Sequence, residues 1–155
     1  MQLKILIIDD DNLVSASLKK ALVKLGYMVE VCLNGGESYD FIKRYDPDII
    51  LLDIYLTTHN GIELLSDFRK SGIKTPIVMI TGYADVNIAV KAIKSGAQDF
   101  LLKPIDLEQL KVILGKNAEK IILSREVNRL ESILEEDTLS RDFFGKSKNI
   151  QKILS

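Results

Sequence analysis

The strongest constraint on this chain is a regular alternation between short apolar runs and amphipathic stretches. Five runs rich in Val, Ile and Leu span residues 3–8, 28–33, 48–52, 76–80 and 99–102. Each run is followed by a stretch with apolar residues at helical spacing; for the fourth helix we expect an apolar face of Val86, Ala89, Val90 and Ile93. Continuous apolar strands separated by helices predict an α/β fold, with a five-stranded parallel sheet doubly wound by helices on both faces.

Composition and charge exclude several classes of protein. The 155 residues carry 21 basic and 22 acidic groups, a net charge of −1, so a fold-wide basic surface for nucleic acid is absent. The single cysteine, Cys32, excludes an internal disulfide framework and a multi-cysteine metal site. No apolar run approaches the roughly 20 residues that cross a bilayer, and residues 1–4 lack a signal-peptide profile. We expect a cytoplasmic protein without membrane contact.

Polar residues stand at the carboxyl ends of four of the predicted strands. Asp9 and Asp10 follow the first run, Asp53 the third, Thr81 the fourth and Lys103 the fifth. Each residue taken alone is compatible with ordinary turn or capping chemistry, and the adjacent Asp11 could simply cap the first helix. Right-handed crossovers, however, place all strand ends along one edge, where open sheets of this kind bind ligands. We therefore expect these side chains to share one crevice.

The predicted crevice combines groups that suit phosphoryl transfer. Carboxylates held together repel one another unless a cation lies among them, and oxygen ligands with room for water suit Mg²⁺. A hydroxyl and an ammonium match the oxygens of a phosphoryl group. A remaining carboxylate can act as the nucleophile and form an aspartyl phosphate.

Four sequence motifs resemble those of two-component response-regulator receiver domains. They are ILIIDDD at the first strand, DIILLDIYLTTHNG at the third, PIVMITGYAD at the fourth and DFLLKP at the fifth. The resemblance covers residues 1–120 and implies a flavodoxin-like fold. Their order, spacing and placement on the predicted strands all agree with that family.

The resemblance implies a role for each strand-end residue. Asp53 corresponds to the phosphoacceptor, and Asp9, Asp10, Asp53 and the backbone carbonyl of Tyr55 to the Mg²⁺ ligands. Thr81 corresponds to the hydroxyl that contacts the phosphoryl group, and Lys103 to the lysine that pairs with it. Two further features are implied and complete this set: Thr81 and Phe100 as switch residues, and a cis peptide bond between Lys103 and Pro104.

The sequence departs from the family pattern in the loop after Asp53. Thr57 stands where the family usually has proline, whereas Gly61 is retained, so we expect the loop to keep its path with more freedom. Phe100 replaces the commoner tyrosine and cannot signal through a hydroxyl. His59, the only histidine, is expected to be an exposed loop residue and not a phosphorelay histidine.

Beyond the receiver the chain continues into a predicted linker helix, residues 121–141. Leu123, Val127, Leu130 and Leu134 follow the spacing of a short coiled-coil seam, with a simple amphipathic helix as the alternative. The final segment, residues 142–155, contains FFGKSKNIQKILS, which resembles the opening of the ATPase domain in sigma-54-dependent activators of the NtrC type. We therefore expect the chain to be the first part of a longer protein.

The resemblance implies a phosphorylation switch and not an enzyme in its own right. Its expected partners are a sensor histidine kinase and a second copy of the chain, which would form a homodimer through the linker helix. RNA polymerase sigma-54 holoenzyme and DNA would be contacted only by domains outside this chain. Two alternatives stay open: a stand-alone phosphorelay receiver, and a Mg²⁺-dependent phosphohydrolase. The latter normally has an acid/base aspartate two residues after the nucleophile, where this chain has Tyr55.

Overall fold

The computed structural model describes residues 2–83 and 85–143, and describes side chains as far as residue 134. Within these ranges five strands alternate with five α-helices, and a short 3-10 helix (Gly35–Glu37) precedes the second of them. The strands are β1 (Lys4–Ile8), β2 (Met28–Cys32), β3 (Ile49–Asp53), β4 (Ile77–Thr81) and β5 (Asp99–Leu102). The helices are α1 (Asn12–Lys24), α2 (Ser38–Tyr45), α3 (Gly61–Lys70), α4 (Val86–Lys94) and α5 (Leu107–Phe143).

The strands form one parallel sheet in the order β2-β1-β3-β4-β5. Every residue of the central strand β3 and of its neighbour β4 is buried, as expected for strands covered by helices on both faces. Order and direction confirm the doubly wound α/β fold predicted from the alternation. The order reverses between β1 and β3, which is where sheets of this kind open a crevice at the carboxyl ends of their strands.

The helices begin and end where local sequence chemistry directs them. The Asp11 side chain caps α1 by accepting hydrogen bonds from the N–H groups of Leu13 and Val14. Gly26 follows α1 with φ at 98°, a left-handed conformation that favours glycine. Asn60 caps α3 in the same way as Asp11 caps α1, and Phe68 anchors α3 with its fully buried ring. The start of α3 is thereby fixed next to the end of β3.

The apolar face expected for α4 is wrong. Val86, Val90 and Ile93 are 78%, 46% and 49% exposed, whereas Ala92 is fully buried and Ile88 packs against the core. The helix is nine residues long and carries apolar residues on two sides, so their spacing did not determine which side faces the sheet. The side that packs inward is the one that carries Ile88 and Ala92.

The chain divides into two compact units, Met1–Asn117 and Ala118–Ser155. The predicted receiver boundary at residue 120 lies within α5 and, like the linker boundary at 141, stays a prediction. In the second unit Leu123, Val127 and Leu130 are about half exposed. Residues 144–155, most of the predicted ATPase-like opening segment, lie outside the described residues. Among the helices that are described, none has the length and apolar character needed to cross a membrane.

Candidate functional site

Sheet register brings the predicted site residues to one edge. Ile8 pairs with Leu52, so the next residues along the two strands, Asp9 and Asp53, are neighbours. Asp53 in turn pairs with Ile80 of β4, which places Thr81 one residue further toward the same edge. Asp9, Asp53 and Thr81 are all buried. The strands themselves therefore position a carboxylate pair beside a hydroxyl.

Lys103 bridges the two buried carboxylates. Its ammonium Nζ lies 3.0 Å from Asp9 Oδ2 and 3.0 Å from Asp53 Oδ2. The backbone N–H of Lys103 donates to the carbonyl oxygen of Thr81 at 2.7 Å, which ties the end of β5 to the end of β4. The peptide bond between Lys103 and Pro104 is cis. The lysine thus joins elements 94 and 50 residues away in the chain.

The second oxygen of each buried carboxylate is held by a backbone N–H two residues further on. Asp11 donates to Asp9 Oδ1 at 3.0 Å, and Tyr55 donates to Asp53 Oδ1 at 3.2 Å. Short turns of this kind form readily after an aspartate at a strand end. They leave both carboxylates with fixed orientations.

The third carboxylate, Asp10, has a different partner. Its Oδ2 accepts a hydrogen bond from the backbone N–H of Thr57 at 2.5 Å and a second, also short, from the Thr57 hydroxyl. Thr57 lies in the β3–α3 loop, residues 54–60, so these bonds connect that loop to the end of β1. The sequence shows Thr57 as a replacement for the family's proline but does not predict this contact.

The charges of the site perturb one another. Burial raises the pKa of Asp53, an effect that the hydrogen bond from Lys103 only partly offsets and that the neighbouring Asp9 carboxylate reinforces. Burial alone would lower the pKa of Lys103, but its hydrogen bonds to Asp9 and Asp53 outweigh burial and raise it. The hydrogen bonds from Thr57 lower the pKa of Asp10. Three carboxylates face one ammonium, so the crevice keeps a net negative charge.

The residues present fit a hard divalent cation. Asp9, Asp10 and Asp53 form the carboxylate cluster, in which one oxygen of each residue lies within 4.8 Å of the others. All three offer oxygen ligands, and one member is accessible from solvent, which suits an ion that retains several waters such as Mg²⁺. Zinc, in contrast, favours nitrogen and sulfur ligands.

Comparison with known proteins agrees with this geometry. The model of the response regulator receiver domain family matches residues 5–114, which is most of the chain. The chain belongs to this family.

Individual relatives of this receiver include longer regulators. The chain is 31% identical over 131 residues to the regulatory protein AtoC of Escherichia coli, and the match covers 84% of this chain and 28% of AtoC. It is 33% identical over 151 residues to the nitrogen assimilation regulatory protein NtrX of Azorhizobium caulinodans, covering 96% of this chain and 32% of NtrX. The crystal structure of NtrX from Brucella abortus superimposes with a TM-score of 0.75 at 30% identity, over 84% of this chain and 30% of that one. The chain thus spans about a third of these relatives, and the NtrX matches support the predicted resemblance to NtrC-type regulators.

Two tyrosines of the receiver flank the site. The rings of Tyr55 and Tyr83 meet edge to face, with centroids 6.2 Å apart and planes inclined by 72°. They are 49% and 64% exposed, so the pair is open to solvent on one side. The backbone N–H of Tyr83 donates to the Thr81 hydroxyl oxygen at 3.2 Å, which anchors one ring next to the site. The metal-ligand role predicted for the Tyr55 carbonyl stays a prediction.

The β3–α3 loop of the receiver follows a tightly constrained path. A Cβ added to Gly61 would lie 2.2 Å from the carbonyl oxygen of Asp53, so glycine is needed there for lack of space. His59 is not the exposed residue that the sequence suggested: it is half-buried, and its ring lies against the backbone at Gly35 and Gly36. The Thr58 hydroxyl and His59 Nδ1 are hydrogen-bonded at 2.8 Å.

Phe100, the predicted switch residue, lies outside the carboxylate cluster. Its half-buried ring packs against the hydrophobic core and borders a groove of about 330 Å³ that Val86 and Leu102 also line. The structure therefore brings together Asp9, Asp10, Asp53, Thr81 and Lys103, and places Phe100 on β5 two residues before the strand ends.

Proposed function

We propose that this receiver accepts a phosphoryl group on Asp53 from a sensor histidine kinase, with Mg²⁺ bound at the carboxylate cluster. The observation that carries the proposal is the bridge from Lys103 Nζ to both Asp9 and Asp53, 3.0 Å to each. An ammonium held beside a nucleophilic carboxylate can pair with the oxygens of an incoming phosphoryl group.

The reaction would exchange one bond to phosphorus for another. A carboxylate oxygen of Asp53 forms a bond to phosphorus while the bond from phosphorus to the kinase imidazole nitrogen breaks, and the nitrogen keeps that electron pair. The Lys103 ammonium would then pair with the negatively charged phosphoryl oxygens, and the Thr81 hydroxyl would donate a hydrogen bond to one of them. Mg²⁺, when bound, supplies positive charge to those same oxygens.

Asp9 and Asp10 would hold the ion together with Asp53. The carboxylate cluster keeps a net negative charge even with Lys103 present, which favours binding of a divalent cation. When Asp53 becomes an acyl phosphate, the charge of its carboxylate is lost and the phosphoryl oxygens carry negative charge instead. Lys103 and Thr81 would respond to this change, and we propose that Thr81 and Phe100 relay it to α4 and β5.

The output of the switch would lie in parts of the protein outside this chain. Resemblance of residues 143–155 to an ATPase opening, and the match to NtrX over 151 residues, support control of a sigma-54-dependent ATPase and DNA-binding output. RNA polymerase and DNA would be contacted through those domains. The receiver would then act in the cytoplasm.

We further propose that the linker helix pairs with that of a second copy. Leu123, Val127 and Leu130 have 4-3 spacing and are about half exposed in one chain. On the same helix Arg129 and Glu126 form an ion pair, with a distance of 2.5 Å between nitrogen and oxygen. These two charged side chains are therefore paired within one chain. A parallel homodimer would cover the apolar side.

The test of phosphorylation uses intact-mass spectrometry. Incubation with a small acyl-phosphate donor and Mg²⁺ should add one phosphoryl group to the wild type and none to Asp53→Asn. The matched control is Asp67→Asn, which changes an exposed aspartate of α3 and should be phosphorylated like the wild type. Removal of Mg²⁺ by a chelator, or Asp10→Ala, should abolish the added mass. Phosphorylation that persists in Asp53→Asn would refute the assignment of the nucleophile.

A further inference from the structure

Thr57 supplies both hydrogen bonds that hold the solvent-accessible carboxylate of the cluster. Its backbone N–H and its hydroxyl converge on the same oxygen, Asp10 Oδ2. An oxygen of this kind has two lone pairs available for hydrogen bonds or for a metal. Both are therefore engaged by one residue of the β3–α3 loop.

The other carboxylates of the cluster are also satisfied from within the protein. Lys103 and two backbone N–H groups bond both oxygens of Asp9 and both oxygens of Asp53. Each member of the cluster thus already accepts hydrogen bonds from the protein before a metal ion binds. At Asp10 these hydrogen bonds come from Thr57.

We propose that Thr57 is a positioning residue that weakens Mg²⁺ binding by stabilising the Asp10 carboxylate in the metal-free site. This inference rests on the proposed function of the cluster as a Mg²⁺ site. To bind through Oδ2 the ion must displace a Thr57 donor, and to bind through Oδ1 alone it must accept a carboxylate whose charge is already partly neutralised. A proline at position 57 could donate neither hydrogen bond to Asp10, since proline has no backbone N–H and no hydroxyl. Threonine at this position would thus make phosphorylation depend on a higher Mg²⁺ concentration.

The inference is tested by measuring Mg²⁺ affinity directly. Metal-stripped wild type, Thr57→Val and Thr57→Ser are titrated with MgCl₂ in a calorimeter at constant ionic strength. Valine has nearly the shape of threonine but lacks the hydroxyl, so Thr57→Val should bind Mg²⁺ about fivefold more tightly, as expected for removal of one solvent-exposed hydrogen bond of ordinary strength. Serine keeps the hydroxyl and the N–H, and it should restore wild-type affinity.

Thr58→Val is the matched control. It removes a hydroxyl from the neighbouring residue, but that hydroxyl is hydrogen-bonded to His59 Nδ1 and not to Asp10. Its Mg²⁺ affinity should equal that of the wild type. Thermal unfolding gives a second readout: at one fixed Mg²⁺ concentration Thr57→Val should gain more in Tm than the wild type does, because ligand stabilisation grows as Kd falls. Thr57→Ala repeats the test without the branched side chain of valine.

The possible results separate this inference from the proposed function. If the wild type binds Mg²⁺, Asp10→Asn loses that binding, and Thr57→Val matches the wild type or binds more weakly, the inference is refuted and the metal site stands. If Thr58→Val tightens binding as much as Thr57→Val, the effect belongs to the loop in general and the inference is again refuted. If the wild type does not bind Mg²⁺ at all, the proposed function itself fails.

Discussion

Substitution of Gly61 by alanine should destabilise the receiver strongly, for a reason that can be worked out from the structure. The added Cβ would lie 2.2 Å from the Asp53 carbonyl oxygen and 2.7 Å from Ile54 Cα. Unstrained contacts begin near 3.5 Å, so the backbones must separate by roughly 1 Å. Both obstructing atoms belong to the backbone at the end of β3, which has no rotamer by which to move aside. Overpacking of this kind costs about 1–3 kcal/mol.

The displacement would also weaken a backbone hydrogen bond. Gly61 N–H donates to the Ile54 carbonyl oxygen at 2.6 Å, a bond worth about 1 kcal/mol net. We therefore expect Gly61→Ala to lower the free energy of unfolding by about 2–4 kcal/mol in all. The backbone at Gly61 is not in the left-handed region, so this cost arises from space and not from backbone conformation.

Urea unfolding followed by tyrosine fluorescence measures this cost. The chain has five tyrosines and no tryptophan, and every tyrosine precedes residue 84, so the fluorescence reports on the first compact unit. The control is Gly82→Ala, where an added Cβ would meet no atom within 4 Å. That variant should be neutral, or slightly stabilised because alanine restricts the unfolded chain. A Gly61→Ala protein within about 0.5 kcal/mol of the control, with an unchanged m-value, would refute the steric argument.

Three further predictions concern the site and the linker. The paired rings of Tyr55 and Tyr83 should hinder water from reaching the phosphorylated Asp53, so the Tyr55→Ala, Tyr83→Ala double variant should lose phosphate several-fold faster than the wild type; an unchanged or slower rate would exclude shielding. Leu130→Asp should shift a dimer toward monomer in analytical ultracentrifugation, because each buried leucine contributes roughly 1.5–3 kcal/mol; a wild type that stays monomeric in both phosphorylation states would contradict the coiled coil. Because burial raises the pKa of Asp53, the native state holds this proton to a higher pH than the unfolded chain does, and the carboxyl costs stability as pH rises above its ordinary pKa of about 4. Asp53→Asn should therefore be more stable than the wild type near pH 7, with the difference vanishing at about pH 3; a difference independent of pH would argue against burial as the cause.

Most of the fold could be predicted from the sequence because two strong patterns agree. Most strands are nearly continuous apolar runs, although β2 contains Glu30 and β5 begins with Asp99. Each run is followed closely by a polar residue, which sets the strand boundary to within one residue. Parallel connection then requires Asp9, Asp53, Thr81 and Lys103 to meet at one edge, since all strand ends lie there. The predicted assembly of the site therefore depended on topology and on no particular side-chain contact.

What the sequence did not predict depends on side-chain detail that periodicity does not carry. The predicted buried face of α4 was wrong because apolar residues lie on two sides of this short helix. Only packing decides whether the side with Ala92 or the side with Val90 is buried. The position of His59 depends on the two glycines at 35 and 36, which leave space for its ring in a connection far away in sequence. The contact from Thr57 to Asp10 had one available indication: a residue with two donors replaces a residue with none, four positions after the phosphoacceptor.

Among the contacts of the β3–α3 loop and the start of α3, those of Thr57 and Gly61 control different properties. At Gly61 the start of α3 meets the backbone at the end of β3 with no room for a side chain, so a change there acts on the strand that carries Asp53 and hence on the stability of the whole unit. At Thr57 the loop meets Asp10 through two hydrogen bonds at the solvent-accessible side of the site, where the first compact unit does not depend on them for its core. A substitution at position 57 should therefore alter the metal requirement while the fold persists, and one at position 61 should weaken the fold before it changes any ligand. This separation explains how a receiver can lose the proline of its family and keep the glycine.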